Sequence, residues 1–335
     1  MSPALDTEFD LVGVGLNATD TLVVVDRYPP CGGKVPIEAE IVSPGGQVAT
    51  ALATVAKLGL RAKYIGTVGD DERGRIQMAS LRATGMELND VDVRAECPNQ
   101  SAYIVIDRAS GERTIFWNRP DCLRLDPARI TPGMITCARM LHIDGHDTAA
   151  VEQAARLAHE HGMPVSLDVD TIYPGLDRVL GLVDYLVSST EFPARWTGEA
   201  DPLRALEILQ TRFRMQVAAM TLGADGALAR VMHDRGLNSE AGYIYSPGFV
   251  VNATDTTGAG DVFHGAFCYA VLNRATMPET FEFANAMAAL NCTRLGARGG
   301  IATAAEAHRL MEQARLDPAA RRRTPAFVTA LDSSK

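Results

Sequence analysis

The segment with the clearest chemical character is Asp255–Asp261, which reads Asp-Thr-Thr-Gly-Ala-Gly-Asp. Apolar residues at helical spacing follow it at once, so the glycines are predicted to lie at the start of a helix. The first amides of a helix lack partners within the helix and carry partial positive charge. An anion such as phosphate can bind there, and Asp261 in the first turn could take a proton from an attacking hydroxyl. The alternative interpretation is a glycine-rich turn capped by Asp.

Several other glycine-containing segments occur along the chain, and their order and spacing match those of the signature segments of one enzyme family. The segment 255–261 resembles the C-terminal signature of the ribokinase (PfkB) carbohydrate-kinase family. The resemblance covers about residues 9 to 315, and the remaining matching segments are Gly15–Asp20, Gly45–Thr50, Gly66–Gly74 and Thr221–Gly223 with Gly226. Two departures from the family pattern are Gln47 and Ser188, each in place of an Asn.

The resemblance implies a role for each matching residue. Asp261 is the expected catalytic base, and the amides of Gly258, Ala259 and Gly260 form the anion hole. The acceptor sugar is expected against Asn17, Asp20, Gly45, Gly46 and Gln47. ATP is expected beside Thr221, Gly223, Gly226, Thr257 and Asn291, the last on the purine side. Glu191 would organise Mg²⁺ through water, and Asp255 with Thr257 and backbone oxygens around 297–301 could hold a monovalent cation such as K⁺.

Two further sets of residues bear on the acceptor. Lys34 follows two glycines in a segment similar to kinases of sulfofructose and related ketohexoses, and Lys34 with Arg119 could meet an anionic group of the sugar. Alternatively, both are solvated charges. Asp144 lies in a His-x-Asp-Gly-His-Asp run predicted at a strand's carboxyl end, where ligands bind in open α/β sheets. We expect Asp144 to contact the sugar, with metal binding as the alternative.

The elements that must position these residues alternate between strand and helix. This alternation predicts an α/β protein with a ribokinase-like three-layer αβα arrangement and a mostly parallel central sheet. The β-rich segments 18–44 and 99–119 interrupt the alternation and are predicted to form a small β-sheet lid. Residues 1–317 are expected to form one kinase domain, and residues 318–335 a loosely held C-terminal tail.

Composition excludes several other classes. The formal net charge is −9 and no basic stripe is present, so no nucleic-acid partner is expected. No run of 18 apolar residues and no signal peptide are found, which predicts a cytoplasmic protein without a membrane partner. The six scattered cysteines are expected to be free thiols. An exposed edge of the lid sheet favours a homodimer through the lid.

The sequence therefore predicts an enzyme that transfers the γ-phosphoryl group of ATP, with Mg²⁺, to a hydroxyl of a small sugar, either a ketohexose or a relative. Two alternatives remain open. One is a nucleoside kinase of the same fold, in which Tyr103, Phe116 or Trp117 would stack on the base. The other is a sugar or nucleotide sensor without catalytic activity.

Overall fold

The computed structural model describes residues 7–110, 112–232, 242–325 and 327–328. The strands are β1 (Phe9–Val14), β2 (Ala18–Val25), β3 (Ala39–Gly45), β4 (Ala62–Ile65), β5 (Thr67–Gly69), β6 (Asp92–Arg94), β7 (Ser101–Asp107), β8 (Arg113–Asn118), β9 (Ala138–Ile143), β10 (Val165–Val169), β11 (Tyr185–Ser188), β12 (Val217–Thr221), β13 (Gly226–Val231) and β14 (Gly242–Pro247).

The α-helices are α1 (Gln47–Lys57), α2 (Glu72–Ala83), α3 (Pro132–Ile135), α4 (Thr148–Glu160), α5 (Leu176–Leu180), α6 (Phe192–Thr197), α7 (Pro202–Phe213), α8 (Ala259–Leu272), α9 (Met277–Asn291) and α10 (Ala304–Leu316).

The central sheet has eight strands in the order β14-β13-β12-β11-β10-β9-β1-β4. The six strands from β12 to β4 run parallel to one another, whereas β13 pairs antiparallel with β12 on one side and with β14 on the other. Two apolar clusters, one on each side of the sheet, join it to the helices. The predicted three-layer arrangement is confirmed, and the carboxyl ends of the parallel strands meet at one edge, where ligands bind in such sheets.

A second sheet of four strands, in the order β3-β2-β7-β8, forms the predicted lid. The lid is tied closely to the central sheet, because only residues 15–17 separate β1 from β2. Asp20 of β2 pairs with Ser43 of β3 in this sheet. Successive side chains of a strand face opposite sides of the sheet, so Asp20 and Leu22 share one face. One face carries Asp20 and the buried Leu22 and Ile104.

The contact between α1 and α8 sets the position of the segment 255–261. Gly265 of α8 lies directly against the backbone of Ala51 in α1, and a Cβ at that position would overlap the Ala51 carbonyl oxygen. Val262, Phe263 and Phe267 on the buried face of α8 join the larger apolar cluster. A helix fixed in this way holds its N-terminus at a constant position beside the sheet edge.

The structure corrects two sequence predictions. Within the segment 18–44, which was predicted to be β-rich throughout, residues 35–38 form an exposed loop and the second strand begins only at Ala39. Cys97 and Cys122, expected as free thiols, form a disulfide with a Cα–Cα distance of 6.1 Å. The loop before β7 and the segment after β8 run side by side, so cysteines 25 residues apart in the chain are neighbours.

The first residues of the segment predicted as a tail contact the domain. The Arg321 guanidinium lies over the Phe249 ring, 3.8 Å from its centre, and also pairs with Glu282. The Val250 amide donates a hydrogen bond to the Ala320 carbonyl. Within the part of the chain that the structure describes, no helix has the length and apolar character needed to cross a membrane.

Candidate active site

The predicted site residues come from distant segments and meet at the carboxyl edge of the central sheet. They lie at the exits of the parallel strands, on one face of the lid and at the N-termini of α1 and α8. Asp261 occupies the first turn of α8, and Gly258 precedes that helix with a φ of 73°. A Cβ at Gly258 would overlap the Ala297 backbone, whereas a Cβ at Gly260 would meet nothing within 4 Å. The Cα of Gly260 therefore faces open space at the start of the helix, where an anion could approach.

The electrostatic surroundings of Asp261 suit proton transfer near neutral pH. Burial, followed by the negative charge of Asp168, raises the pKa of Asp261 to about 7, while His264, Arg113 and Arg298 act in the opposite direction. His264 Nε2 lies 3.1 Å from Asp168 Oδ1, and both side chains are buried. A carboxyl group with a pKa near the working pH can both accept and release a proton.

The lid contributes a second buried carboxylate, Asp20. Its Oδ1 accepts a hydrogen bond of 3.1 Å from the Ala102 amide. A Cβ at Gly45 would lie 2.7 Å from Asp20 Oδ2, so a glycine is needed there for the two segments to approach. Burial raises the pKa of Asp20 to about 6. Below the lid, Asn17 donates hydrogen bonds to the Tyr64 hydroxyl (2.9 Å) and the Thr67 carbonyl (2.6 Å).

Four buried oxygens around the site lack a hydrogen-bond partner in the part of the chain that the structure describes. They are Asn17 Oδ1, Gln47 Oε1, Gln77 Oε1 and Thr257 Oγ1. Buried polar atoms are nearly always hydrogen-bonded, so a group of unpaired oxygens indicates a place where a ligand supplies the partners. Sequence reasoning missed Gln77, although a fully buried Gln whose Nε2 donates to the Gly45 carbonyl fits this site.

Arg298 is a further residue that sequence reasoning missed. Its guanidinium donates hydrogen bonds to Thr50 Oγ1 (3.1 Å), Ser80 Oγ (3.1 Å) and the Gly45 carbonyl (2.8 Å). Burial lowers its pKa to about 10, against the opposing effect of the Asp261 and Asp20 carboxylates. Among the described residues no carboxylate forms an ion pair with it. The signal in the sequence was an Arg directly after the Gly296-Ala297 pair.

Arg113 links the lid to the anion-binding loop. This residue of β8 donates a hydrogen bond of 2.6 Å from Nη1 to Thr256 Oγ1. Thr256 lies in the turn that leads into α8. A second guanidinium is thus placed close to the helix N-terminus, where a transferred phosphoryl group would need positive charge.

The residues expected on the nucleotide side lie at the next strand exits. Thr221 ends β12, and the Leu222 amide donates a hydrogen bond of 2.7 Å to the Gly226 carbonyl, which closes the turn into β13. Gly226 has a φ of 106°, and a Cβ there would overlap the Ser246 carbonyl. Asn291 is different, because its side chain is completely buried and holds two loops together. This placement does not support the expected contact with the purine.

Glu191 has the exposure that a magnesium-organising carboxylate needs. It follows β11 and is exposed, and no hydrogen bond or ion pair of its carboxylate is found in the described chain. Its neighbour Ser188 donates a hydrogen bond to the Ala219 carbonyl and is buried. Mg²⁺ in kinases is bound largely by water and substrate phosphates, with one or two protein carboxylates. The residues present therefore fit such an ion.

Asp144 is placed differently from the expectation of sugar contact. It is fully buried, and its oxygens accept hydrogen bonds from the Leu16 amide (2.6 Å) and the His146 amide (3.0 Å). This geometry fits a carboxylate that holds the exit of β1 better than one that contacts a ligand. In the described ranges, no three His, Cys, Asp or Glu side chains converge in a way that could hold a metal ion, which removes support for the metal alternative.

The two charges expected to recognise an anionic sugar differ from one another. Arg119 donates to Asp147 at 2.5 Å and to Gln100 Oε1 at 2.9 Å, and both members of the Arg119–Asp147 pair are largely buried. Arg119 is therefore a buried cation whose charge is already balanced by Asp147. Lys34 lies in the exposed loop before β3. Only Lys34 remains available to meet an anionic group directly.

An aromatic group lines the mouth of the site. Trp117 of the lid is 60% exposed. Its ring is perpendicular to that of His146, with centroids 6.5 Å apart, and His146 in turn lies 4.7 Å from the Tyr173 ring. In the lid register Trp117 lies opposite Ala102, and so on the same face as Asp20. An apolar face of a sugar or a base could pack there.

The fold places a lid sheet over a glycine-preceded helix N-terminus and an adjacent buried carboxylate, which is the arrangement expected of a phosphotransferase. The chain belongs to the pfkB family of carbohydrate kinases, whose family model matches residues 25–304. It is thus a kinase that phosphorylates an alcohol group, and the predicted family is confirmed.

Named relatives agree with this assignment. The chain is 31% identical over 285 residues to an ATP-dependent ribose-1-phosphate kinase of Halopiger xanaduensis, covering 83% of this chain and 90% of the relative. It is 28% identical over 319 residues to fructokinase-1 of Oryza sativa, covering 87% of this chain and 96% of the relative.

Solved structures agree on the fold. A crystal structure of a protein from Agrobacterium tumefaciens superposes with a TM-score of 0.83 at 27% identity, covering 91% of this chain and 98% of that one. The structure of Arabidopsis thaliana ribokinase complexed with ribose and ATP superposes with a TM-score of 0.74 at 22% identity, covering 91% of this chain and 99% of that one. At that identity the second comparison concerns the fold alone.

Proposed function

We propose that this sugar kinase transfers the γ-phosphoryl group of ATP to a hydroxyl of a five- or six-carbon sugar, with Asp261 as the base. The observation that carries the proposal is the position of Asp261 in the first turn of α8, next to Gly260, whose Cα faces open space. Its pKa of about 7 allows it to accept the hydroxyl proton as the bond to phosphorus forms.

Positive charge around this point would stabilise the phosphoryl group during transfer. The amides of Gly258 and Gly260 would supply donors that the helix N-terminus already holds, whereas the Ala259 amide donates to the Thr256 carbonyl at 3.3 Å and would have to exchange that partner for the phosphoryl group. Arg113 and Arg298 add two guanidinium groups, both close enough to lower the pKa of Asp261. Glu191 would hold Mg²⁺ through water, and the bound ion would supply positive charge that neutralises part of the charge of the ATP phosphates.

The sugar would bind between the lid and the N-terminus of α1. Asp20 would accept hydrogen bonds from sugar hydroxyls, and the unpaired oxygens of Asn17, Gln47 and Gln77 would accept others. Trp117 would cover the apolar face of the ring. Lid closure over this set would exclude water and limit ATP hydrolysis. Pairing of two lids into a homodimer and a cytoplasmic location remain parts of this proposal.

The acceptor named for relatives suggests the first substrates to test. One relative is named for ribose 1-phosphate and another for fructose, so a screen of ADP release should include both. Ribose, sulfofructose and adenosine complete the panel. We expect turnover with at least one sugar or sugar phosphate, and no turnover with any acceptor would refute the proposal.

A nucleoside kinase is the second candidate, and the exposed Trp117 ring is the observation that favours it. A base could stack on that ring as well as a sugar could. Turnover of adenosine well above that of every sugar, lost in Trp117→Ala, would establish this alternative. The same variant should change KM for a small sugar far less.

A further inference from the structure

The junction between two loops beside the anion hole carries a separate inference. One loop contains Asp255 and Thr257 and leads into α8, and the other contains Gly296–Gly300 and follows α9. The Asp255 carboxylate and the backbone oxygens of these loops are the oxygens that a monovalent cation would need. Such an ion is bound when several carbonyl or carboxylate oxygens replace its hydration shell.

Both oxygens of the Asp255 carboxylate already accept a hydrogen bond. Its Oδ1 accepts a hydrogen bond of 2.8 Å from the Thr257 amide, and its Oδ2 accepts one of 2.8 Å from the Gly296 amide. The side chain is 1% exposed. The carboxylate thus clamps the two loops by direct hydrogen bonds, with backbone amides in place of a cation as its partners.

Two of the backbone oxygens, the Thr257 and Ala297 carbonyls, are also engaged, by one side chain. Asn291 Nδ2 donates to the Thr257 carbonyl at 3.2 Å and to the Ala297 carbonyl at 3.1 Å, so it bridges the two loops. Asn291 Oδ1 accepts from the Gly300 amide at 3.2 Å, which fixes the orientation of the side-chain amide. Asn291 has no exposed surface. A cation between these two carbonyls would have to displace the amide.

We propose that the side-chain amide of Asn291 takes the place of a monovalent cation in this kinase. It holds the anion-binding loop against the loop after α9, so that phosphoryl transfer does not depend on potassium. Asn291 is a positioning residue, since it acts through the backbone of Thr257 and Gly258. Only the ADP-release test of this inference depends on the proposed function.

The geometry of the junction supports this substitution. An amide group has two N–H donors, and here they meet two carbonyl oxygens, one from each loop. Gly258 lies so close to Ala297 that even a Cβ would overlap that backbone, so the loops are in direct contact. The amide brings no charge, but Arg113 and Arg298 provide positive charge close to Asp261. Among the described residues the buried Thr257 hydroxyl has no hydrogen-bond partner.

The test compares potassium chloride with choline chloride at equal ionic strength. ADP release is measured with whichever of ribose 1-phosphate, fructose and ribose gives turnover. The wild-type rate should be the same in both salts. Asn291→Ser removes the bridge and leaves the carbonyls unpaired, so its kcat in choline chloride should fall on the order of tenfold to a hundredfold. Potassium should restore most of that loss by binding to the freed oxygens.

The matched control is Asn285→Ser. Asn285 is also a buried residue of α9 whose Nδ2 donates to a backbone carbonyl, that of Ser246, but it lies away from the loop junction. Any loss of activity in Asn285→Ser should be insensitive to potassium. Stimulation of the wild type by potassium would overturn the proposal. So would an Asn291→Ser variant that keeps full activity in choline chloride, or one whose loss potassium does not restore.

A second measurement needs neither turnover nor a soluble variant. The thermal midpoint of the wild type and its Kd for MgATP are measured while potassium replaces choline. The proposal predicts that both stay constant. A rise in the midpoint or a tighter Kd with potassium, absent with choline, would show that a cation occupies the junction and would contradict the proposal even if no acceptor is found.

Discussion

The position of Asp261 predicts how activity depends on pH. Burial and the charge of Asp168 raise the pKa of this carboxyl group to about 7, and only its deprotonated form can accept the hydroxyl proton. Because the folded pKa is raised, the active form is present above pH 7 and is lost as the pH falls through that value. A single carboxyl with a pKa of about 7 is about nine-tenths ionised at pH 8 and about one-tenth at pH 6, so the rate should fall about tenfold.

The assay is ADP release with both substrates well below their KM values, so that the rate reports the free enzyme. Arg113 lowers the pKa of Asp261, so Arg113→Gln should move the break in the profile to higher pH. Asp20 has a raised pKa of about 6 and would add a second fall at lower pH. Asp20→Asn therefore serves as the control, and it should keep the break near pH 7. A wild-type rate that is unchanged from pH 8 to pH 6 would refute the assignment.

Three other predictions concern single features. Gly258→Ala should lower both the thermal midpoint and kcat, because the φ of 73° at Gly258 and its contact with Ala297 exclude a side chain. Gly260→Ala should leave the thermal midpoint unchanged, because the new Cβ would meet open space. Equal midpoints for the two variants would contradict this prediction. Lys34→Ala should raise KM for ribose 1-phosphate far more than for ribose, and equal effects would remove the lysine from anion recognition. Thiol titration of the denatured, unreduced protein should find four of the six cysteines reactive, and six reactive thiols would show that Cys97 and Cys122 are not paired.

The features that the sequence predicted correctly are those encoded over short stretches. The parallel central sheet with helices on both sides follows from the strand–helix alternation of the sequence. The same holds for the helix start at Gly258–Asp261. Both features rest on residues that are close together in the chain, so they can be predicted without knowledge of distant contacts.

The features that were missed depend on contacts between distant segments. Arg298 reaches Thr50, which is 248 residues away in the chain, and no local pattern encodes that approach. Asn291 has the residue type expected of a polar ligand contact, but its partners are the carbonyls of two loops that only the fold brings together. Pairing of Cys97 with Cys122 likewise requires the lid to bring two loops side by side.

The most direct test of the account is Asp261→Asn, which keeps the shape of the side chain and removes its ability to accept a proton. Single-turnover phosphoryl transfer should slow on the order of a hundredfold to ten-thousandfold, while the Kd for MgATP changes little. Transfer at more than a tenth of the wild-type rate would show that Asp261 is not the base.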